Sequence, residues 1–295
     1  MDMTRERSGQ HPITYLIITR PGNLAITAAS VFIAGIISSA QWAAFAGDLA
    51  IAALSAAFIA AGGNAFNDYC DRELDLVQKP HRPLPAGKMT PRSALLWSWI
   101  CFLIGIALST LIGISALFVA SVATLVLIFY SLYWKRWPLI GNVAVAFVAA
   151  LTFIYGGVAV RSIGAAFWAA WLAFFFHLGR EIVKDLEDYS GDAAAGANTF
   201  VVRYGPAAGR YMASLTFMLL TVSLPLPYLF GRYKIGYLAI VLIGVLPVFI
   251  AATVLIWRWS RPEQLHRLSS LLKWDMLVGL FALYIGRSTM TLVSG

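Results

Sequence analysis

The sequence carries very little charge for its length. Only 12% of its 295 residues are Asp, Glu, Lys or Arg, about half the share found in soluble domains, and 60% are hydrophobic. The mean hydropathy of the chain is +0.76. Such a chain cannot cover a packed core with a hydrated surface, so its composition excludes a soluble enzyme or a soluble binding module. It predicts an all-α protein that crosses the membrane several times.

Cysteine is scarce, and a secretion signal is not recognisable. Cys70 and Cys101 are the only two cysteines, so the sequence excludes a disulfide framework and a cysteine-based zinc site. The first ten residues are polar and carry both signs of charge, without a short apolar run and cleavage site after them. The first apolar stretch is therefore expected to remain in the protein as a membrane span.

Long stretches without charge predict nine membrane-spanning helices in one bundle. A span needs about 20 apolar residues, and the uncharged run from residue 93 to 134 has 42, enough for two helices that fold back near Gly113–Ser115. Asp275 and Arg287 interrupt the last segment, so a count of eight stays open. The predicted spans are Pro21–Gly47, Leu49–Asn67, two within Ser93–Trp134, Trp137–Val160, Ala165–Arg180, Tyr211–Gly231, Ile235–Trp257 and Leu272–Val293. We treat residues 1–295 as a single integral-membrane domain.

The positive charges indicate how this bundle is oriented. Of the 22 Lys and Arg residues, 18 fall in the N-terminal segment and the segments after spans 2, 4, 6 and 8. By the positive-inside rule, these segments and the N-terminus are cytoplasmic, here at a cell membrane. Topology and anionic membrane lipid thus account for the net charge of +8, and no nucleic-acid partner is expected.

The acidic residues are concentrated in two short segments on that same side. Nine of the 14 lie there, and the two segments share one spacing. The matched triplets are Asp68, Asp71 and Asp75 in the first, and Asp185, Asp188 and Asp192 in the second. If the preceding helix continues through each segment, all three carboxylates of a triplet lie on one helix face. The sequence therefore predicts an internal repeat of two helix pairs, each with an acidic stripe.

Stacked carboxylates repel one another unless a cation lies between them. Oxygen ligands of this kind suit Mg²⁺, which binds one or two carboxylates and completes its shell with water and phosphate oxygens. Basic residues accompany both segments, so together they predict a diphosphate site. The alternatives are a pair of solvated loops, or a transporter with acids near its helix ends. The three prolines Pro80, Pro83 and Pro85 end the first helix and predict an extended loop over residues 76–92, which covers the cavity and presents Arg82.

The amino-acid sequences of these segments resemble those of the UbiA superfamily of intramembrane prenyltransferases. Residues 67–75 match its NDxxDxxxD motif, residues 82–87 its RPxPxG loop, and residues 20–23 its RPxN element. Residues 180–192 resemble its second Asp-rich motif. The resemblance implies nine helices around a central cavity, Mg²⁺ at both motifs, and a prenyl diphosphate donor whose tail runs into the membrane.

Residues and resemblance together predict the roles of individual side chains. The metal-binding candidates are Asn67, Asp68, Asp71, Asp75, Asp185, Asp188 and Asp192. The catalytic candidates among them are Asp71, Asp75, Asp188 and Asp192. The substrate-binding candidates are Arg20, Asn23, Arg72, Lys79, Arg82, Tyr130, Lys135 and Lys184.

The second motif is most similar to the branch of the family that acts in archaeal-type ether-lipid synthesis. The resemblance is carried by REIVKDLEDYSGD at residues 180–192, followed by Ala197 and Thr199. It implies transfer of a geranylgeranyl group from its diphosphate to the hydroxyl of geranylgeranylglyceryl phosphate, a lipophilic, phosphorylated acceptor. The alternative within the family is prenylation of an aromatic acceptor, such as a quinone, chlorophyll or haem precursor.

Overall fold

The computed structural model describes residues 11–287, and within that range the chain is built of helices without a strand. The helices are α1 (Pro12–Ile18), α2 (Pro21–Ser38), α3 (Ala46–Cys70), α4 (Arg72–Gln78), α5 (Pro91–Thr110), α6 (Ile114–Leu132), α7 (Ile140–Ala159), α8 (Gly164–Glu187), α9 (Tyr189–Ala194), α10 (Phe200–Ser223), α11 (Leu226–Leu229), α12 (Ile235–Ile240), α13 (Leu246–Arg258) and α14 (Pro262–Ile285). A π-helical turn over Val241–Val245 joins α12 to α13.

Eight helical segments of the described range are long and apolar enough to cross a membrane. Large apolar side chains cover their outer faces, for example Ile114 and Ile243, which are 79% and 80% exposed. These helices make the chain an integral membrane protein. The predicted count of nine stays a prediction, because α8 has the length of a span but carries several ionisable residues in its second half.

The predicted helix boundaries hold best where the sequence carries a turn signal. The fold-back within residues 93–134 is confirmed: α5 ends at Thr110, and α6 begins after Gly113, whose φ of +140° favours glycine. The last helix begins ten residues before the predicted start at Leu272. It begins at Pro262, because Leu265, Leu268 and Leu272 form a buried stripe at helical spacing ahead of the uncharged run.

Two of the sequence predictions, one at each chain end, concern residues that the structure does not describe. The N-terminal segment before residue 11 and the end of the predicted ninth span, residues 288–293, lie outside the described residues. Within the described part, α14 continues through Asp275 and ends at Ile285, before Arg287.

The loop after the first acidic motif is folded rather than extended, which corrects the prediction for residues 76–92. Residues 76–78 belong to α4, and the chain from Lys79 onward forms consecutive turns. The Ala86 amide donates to the Arg82 carbonyl at 2.9 Å, and the Lys88 amide donates to the Pro83 carbonyl at 2.9 Å. The prolines do end the helix, as expected. Gly87, with a φ of +69°, then permits the chain to turn back.

Close helix contacts hold α2 against α7. A Cβ atom on Gly156 would lie 2.1 Å from the carbonyl oxygen of Val31 and 2.7 Å from the Cβ of Ala34. Such distances are possible only for glycine, so the backbones of the two helices approach directly. Small residues at helix interfaces are the usual route to tight packing in membranes, where lipid removes much of the hydrophobic drive for helix association.

We expect Gly156→Ala to destabilise the protein by about 1–3 kcal/mol, since the added methyl group must push α2 and α7 apart. Thermal unfolding in detergent should show a lower midpoint than that of the unmodified protein. Gly47→Ala is the matched control, because a Cβ there meets nothing within 4 Å. Equal midpoints for the two variants would contradict the packing described here.

Candidate active site

The two acidic motifs begin with the same local backbone geometry. In each, a long helix is interrupted at one aspartate and a short helix follows: Asp71 separates α3 from α4, and Asp188 separates α8 from α9. Their φ and ψ angles are −94° and 4°, and −86° and 0°. Hydrogen bonds four residues back persist through both breaks, from the Asp71 amide to Asn67 at 2.9 Å and from the Asp188 amide to Lys184 at 2.8 Å. The helix axis therefore bends at each motif without a loop.

Two arginines form ion pairs with the carboxylates of the first motif. The Arg82 guanidinium donates to Asp75 at 2.7 Å and to Asp68 at 3.1 Å, and Asp68 also accepts from Arg20 at 2.5 Å. The side chains of Asp68 and Asp75 are only 5% and 3% exposed. Burial of this kind is tolerable for carboxylates only when cations and hydrogen bonds compensate for lost water. Arg82 thus ties the loop after α4 to the bend between α3 and α4.

Asp71 and Asn67 form a second group on the same bend. The Asn67 side-chain amide donates to the Asp71 carboxylate at 3.0 Å, and the Lys135 ammonium forms an ion pair with the other oxygen of Asp71. The side-chain carbonyl oxygen of Asn67 is buried and has no hydrogen-bond partner among the described residues. An unpaired buried oxygen beside a carboxylate is suited to a cation.

The second motif is less heavily paired. Asp185 accepts a hydrogen bond from Asn142 of α7 at 2.9 Å, whereas the exposed Asp188 carboxylate has no ion pair among residues 11–287. Asp192 lies 3.5 Å from the side-chain amide of Gln78, so α9 of the second motif contacts α4 of the first. Burial raises the pKa of the Asp192 carboxyl above its usual value, and repulsion from Asp188 raises it further.

A cavity of about 590 Å³ lies between the motif-bearing helices. This is within the range of about 300–1,000 Å³ that is usual for small-molecule sites. Its polar lining residues include Arg20, Asn23, Asn67, Lys79, Arg82, Tyr130, Arg180, Glu181, Lys184 and Lys273. Its apolar lining, contributed by α3, α6 and α7, includes Ala56, Ile59, Val119, Leu127, Val148 and Leu151. A charged head and a hydrocarbon tail would each find matching walls.

The structure gathers most of the predicted substrate-binding residues around this cavity. Six of the eight line it, and Lys135 does not line it but forms an ion pair with Asp71 of the first motif. Arg72 differs: it is absent from the cavity lining, and its guanidinium lies 5.1 Å from the ring centroid of Tyr69. The role predicted for Arg72 has no contact in this structure to support it.

Three charged residues that line the cavity are not among the residues predicted from the sequence. They are Arg180, Glu181 and Lys273. Glu181 accepts from Lys184 at 2.9 Å and from Arg180 at 3.4 Å, and its side chain is only 14% exposed. A signal for Glu181 was present, since His177, Glu181 and Asp185 recur every four residues on one face of α8. No comparable signal marked Lys273, which lies on α14, far along the chain from either motif.

The fit of the site to a divalent metal depends on the ligand count. No three His, Cys, Asp or Glu side chains of residues 11–287 are grouped closely enough to enclose a metal unaided. Mg²⁺ does not need such a cage, because it binds through one or two carboxylates together with water and substrate phosphate oxygens. The unpaired Asn67 oxygen, the Asp71 carboxylate beside it and the exposed Asp188 carboxylate are the groups of the two motifs that suit such binding.

Comparison with known proteins gives relatives along nearly the whole chain. A Methanopyrus kandleri protein named digeranylgeranylglyceryl phosphate synthase is 36% identical over 271 residues, covering 91% of this chain and 97% of that protein. A solved structure of digeranylgeranylglyceryl phosphate synthase superimposes with a TM-score of 0.80 at 31% identity, covering 94% of this chain and 98% of the other.

A more distant structure shares the fold. It is a UbiA homologue from Archaeoglobus fulgidus bound to GPP and Mg²⁺, with a TM-score of 0.68 at 20% identity and coverage of 92% of this chain and 99% of that one. The sequence profile of the UbiA prenyltransferase family matches residues 26–276. Because that match spans most of the chain and includes both acidic motifs, the protein belongs to the UbiA prenyltransferase family.

Proposed function

We propose that this protein catalyses the Mg²⁺-dependent transfer of a geranylgeranyl group from its diphosphate to the hydroxyl of geranylgeranylglyceryl phosphate, a step in ether-lipid synthesis. The observation that carries the proposal is the cavity, which is lined by charged residues from the segments of both motifs, such as Arg82 and Lys184, and by apolar residues of α3, α6 and α7. The names of the relatives that are similar over nearly their full length support this choice of substrates.

In this proposal the two motifs hold the metal and the diphosphate between them. Bound Mg²⁺ would act as a Lewis acid that withdraws charge from the leaving group. Asn67 offers an unpaired oxygen for it and Asp188 an exposed carboxylate, and Asp71, which pairs with Asn67 and Lys135 in this structure, lies beside the Asn67 oxygen. The remaining metal-binding candidates are Asp68, Asp75, Asp185 and Asp192, which accept hydrogen bonds from neighbouring side chains in this structure.

The chain's own residues then position the substrates and exclude water. Arg20, Lys79, Arg82 and Lys135 neutralise the diphosphate as negative charge develops on it. The C1–oxygen bond breaks and its electron pair leaves with the diphosphate, while the acceptor oxygen forms its bond to C1. The acceptor proton passes to an oxygen of the departing diphosphate. The apolar walls keep water from quenching the allylic cation.

We also propose the number of membrane spans, the position of the cavity and the orientation of the protein in the membrane. We treat α8 as the ninth span, residues 1–295 as one domain, and the cavity as the centre of the bundle. The N-terminus and both motifs face the cytoplasm, where the prenyl diphosphate donor is soluble enough to arrive. The paired bends at Asp71 and Asp188 support an internal repeat of two helix pairs.

The acceptor assignment leads to a competition experiment. Purified protein with Mg²⁺ and geranylgeranyl diphosphate, given equal amounts of geranylgeranylglyceryl phosphate and 4-hydroxybenzoate, should prenylate the glyceryl phosphate almost exclusively. Mass spectrometry of the extracted lipids measures both products in one reaction. Membranes from cells that lack the expressed chain provide the background.

Two outcomes would change the proposal in different ways. Prenylation of the aromatic acid alone would replace the acceptor class and leave a prenyltransferase in place. Uptake of donor into vesicles without any prenylated product would instead favour the transporter alternative.

A further inference from the structure

In this structure three of the cations that we assign to the diphosphate also pair with the acids of the first motif. Arg82 pairs with Asp68 and Asp75, Arg20 with Asp68, and Lys135 with Asp71. The cavity has further positive charge on α8 and α14, from Arg180 at the start of the second motif and from Lys273 outside both motifs. Ionisable groups in a membrane-embedded cavity are by default functional, and unpaired cations there are suited to an anion.

Arg180 and Lys273 supply that charge. Both line the cavity. The Nε of Arg180 is buried and has no hydrogen-bond partner among the described residues, and its contact with Glu181 is long, at 3.4 Å. Lys273 forms no ion pair within residues 11–287. Both side chains therefore have N–H groups available to donate hydrogen bonds to a ligand.

The register of α8 against α14 brings these two residues to one depth. His266 of α14 lies 2.7 Å from Glu187 at the end of α8. Ten residues later on α14 and ten residues earlier on α8, Met276 and His177 line the same cavity. The two helices therefore run in opposite directions. Arg180 and Lys273 are each seven residues from the His266–Glu187 contact, which corresponds to about 10 Å along either helix axis.

We infer that Arg180 and Lys273 form a second anion site, which binds the phosphate monoester of the acceptor; the inference rests on the proposed function. Arg180 lies five residues before Asp185 and eight before Asp188, about 8 and 12 Å along α8, and Lys273 lies on a different helix, so this site adjoins the diphosphate site without coinciding with it. The Lys273 side chain leans toward the start of its helix, hence toward the motifs. A glyceryl phosphate has its hydroxyl a few bonds from its phosphate. A phosphate held here places that hydroxyl between the two anion sites, where C1 of the donor lies.

Lys273→Gln tests the inference by separating the two substrates. A lost charge-assisted hydrogen bond costs about 1.5–3 kcal/mol, so the KM for geranylgeranylglyceryl phosphate should rise by about 10- to 100-fold. The KM for geranylgeranyl diphosphate should stay within about twofold. The variant should also lose preference for that acceptor over geranylgeranylglycerol, which lacks the phosphate. Lys273→Arg, which keeps the charge, should recover most of the acceptor affinity.

Arg267→Gln is the matched control, since this exposed residue of α14 does not line the cavity. An unchanged acceptor KM in Lys273→Gln, or an equal rise in both KM values, would overturn the second anion site. Failure of the proposed function is a different result: the unmodified protein would then transfer the prenyl group to neither glycerol compound.

Discussion

Asp188→Asn will lower the turnover number by about 10³-fold or more while leaving the protein folded, because it removes a carboxylate that we assign to the metal at the developing charge. The Asp188 side chain is exposed and forms no ion pair among the described residues. Its replacement by the isosteric amide therefore breaks no contact that holds the helices together. The loss should appear in turnover at saturating donor, with the thermal midpoint unchanged or slightly raised as repulsion from Asp192 is relieved.

Glu73→Gln is the control variant for Asp188→Asn. Glu73 is also acidic and near a motif, but its side chain is 85% exposed and pairs only with Arg72 at the surface. That variant should keep nearly full activity. Turnover of Asp188→Asn within tenfold of the unmodified enzyme at saturating Mg²⁺ would remove Asp188 from the metal-binding set.

Arg82→Met will have the largest effect on stability. Its guanidinium, 19% exposed, is shared by two carboxylates that are almost fully buried, and its loss leaves Asp75 without an ion-pair partner and Asp68 with Arg20 alone. Removing one partner of a buried ion pair typically costs about 3–5 kcal/mol. We expect a clearly lower midpoint of thermal unfolding in detergent. Activity should also fall, since the loop that carries Arg82 would lose its attachment to the bend at Asp71.

A second substitution separates charge from packing. Adding Asp75→Asn to Arg82→Met removes one of the stranded charges and should recover part of the lost stability, though not the activity. Lys88→Met, on the exposed end of the same loop, is the control and should leave the midpoint unchanged. A double variant no more stable than Arg82→Met would mean that the ion pairs contribute little.

The local features of the fold followed from the sequence because their causes are local. Uncharged runs of sufficient length predicted the membrane helices, and Gly113 marked the fold-back between α5 and α6. The shared spacing of the aspartates singled out both motifs. In the structure each motif contains a helix break at its central aspartate, which the assumption of an uninterrupted helix did not anticipate.

The contacts between distant segments could not be predicted in the same way. Spacing places Asp68 and Asp75 on one face, yet only the folded loop shows that Arg82 bonds to both. Lys273 is still further removed, since its role depends on the register between α8 and α14. That register is set by packing along two long helices, for which a single sequence contains no local signal.

The lengths of the helices also bear on the membrane in which the protein works. Helices α2, α5, α6 and α7 contain 18, 20, 19 and 20 residues. At 1.5 Å per residue they extend about 27–30 Å, close to the hydrocarbon thickness of an ordinary bilayer. Hydrophobic mismatch costs a fraction of a kcal/mol per Å, and these helices pack against α3 and α8, which end at the breaks that carry Asp71 and Asp188. Tilting those helices in a thinner bilayer would alter the distance between the two motifs. Bilayer thickness is therefore a determinant of how well the diphosphate site is assembled.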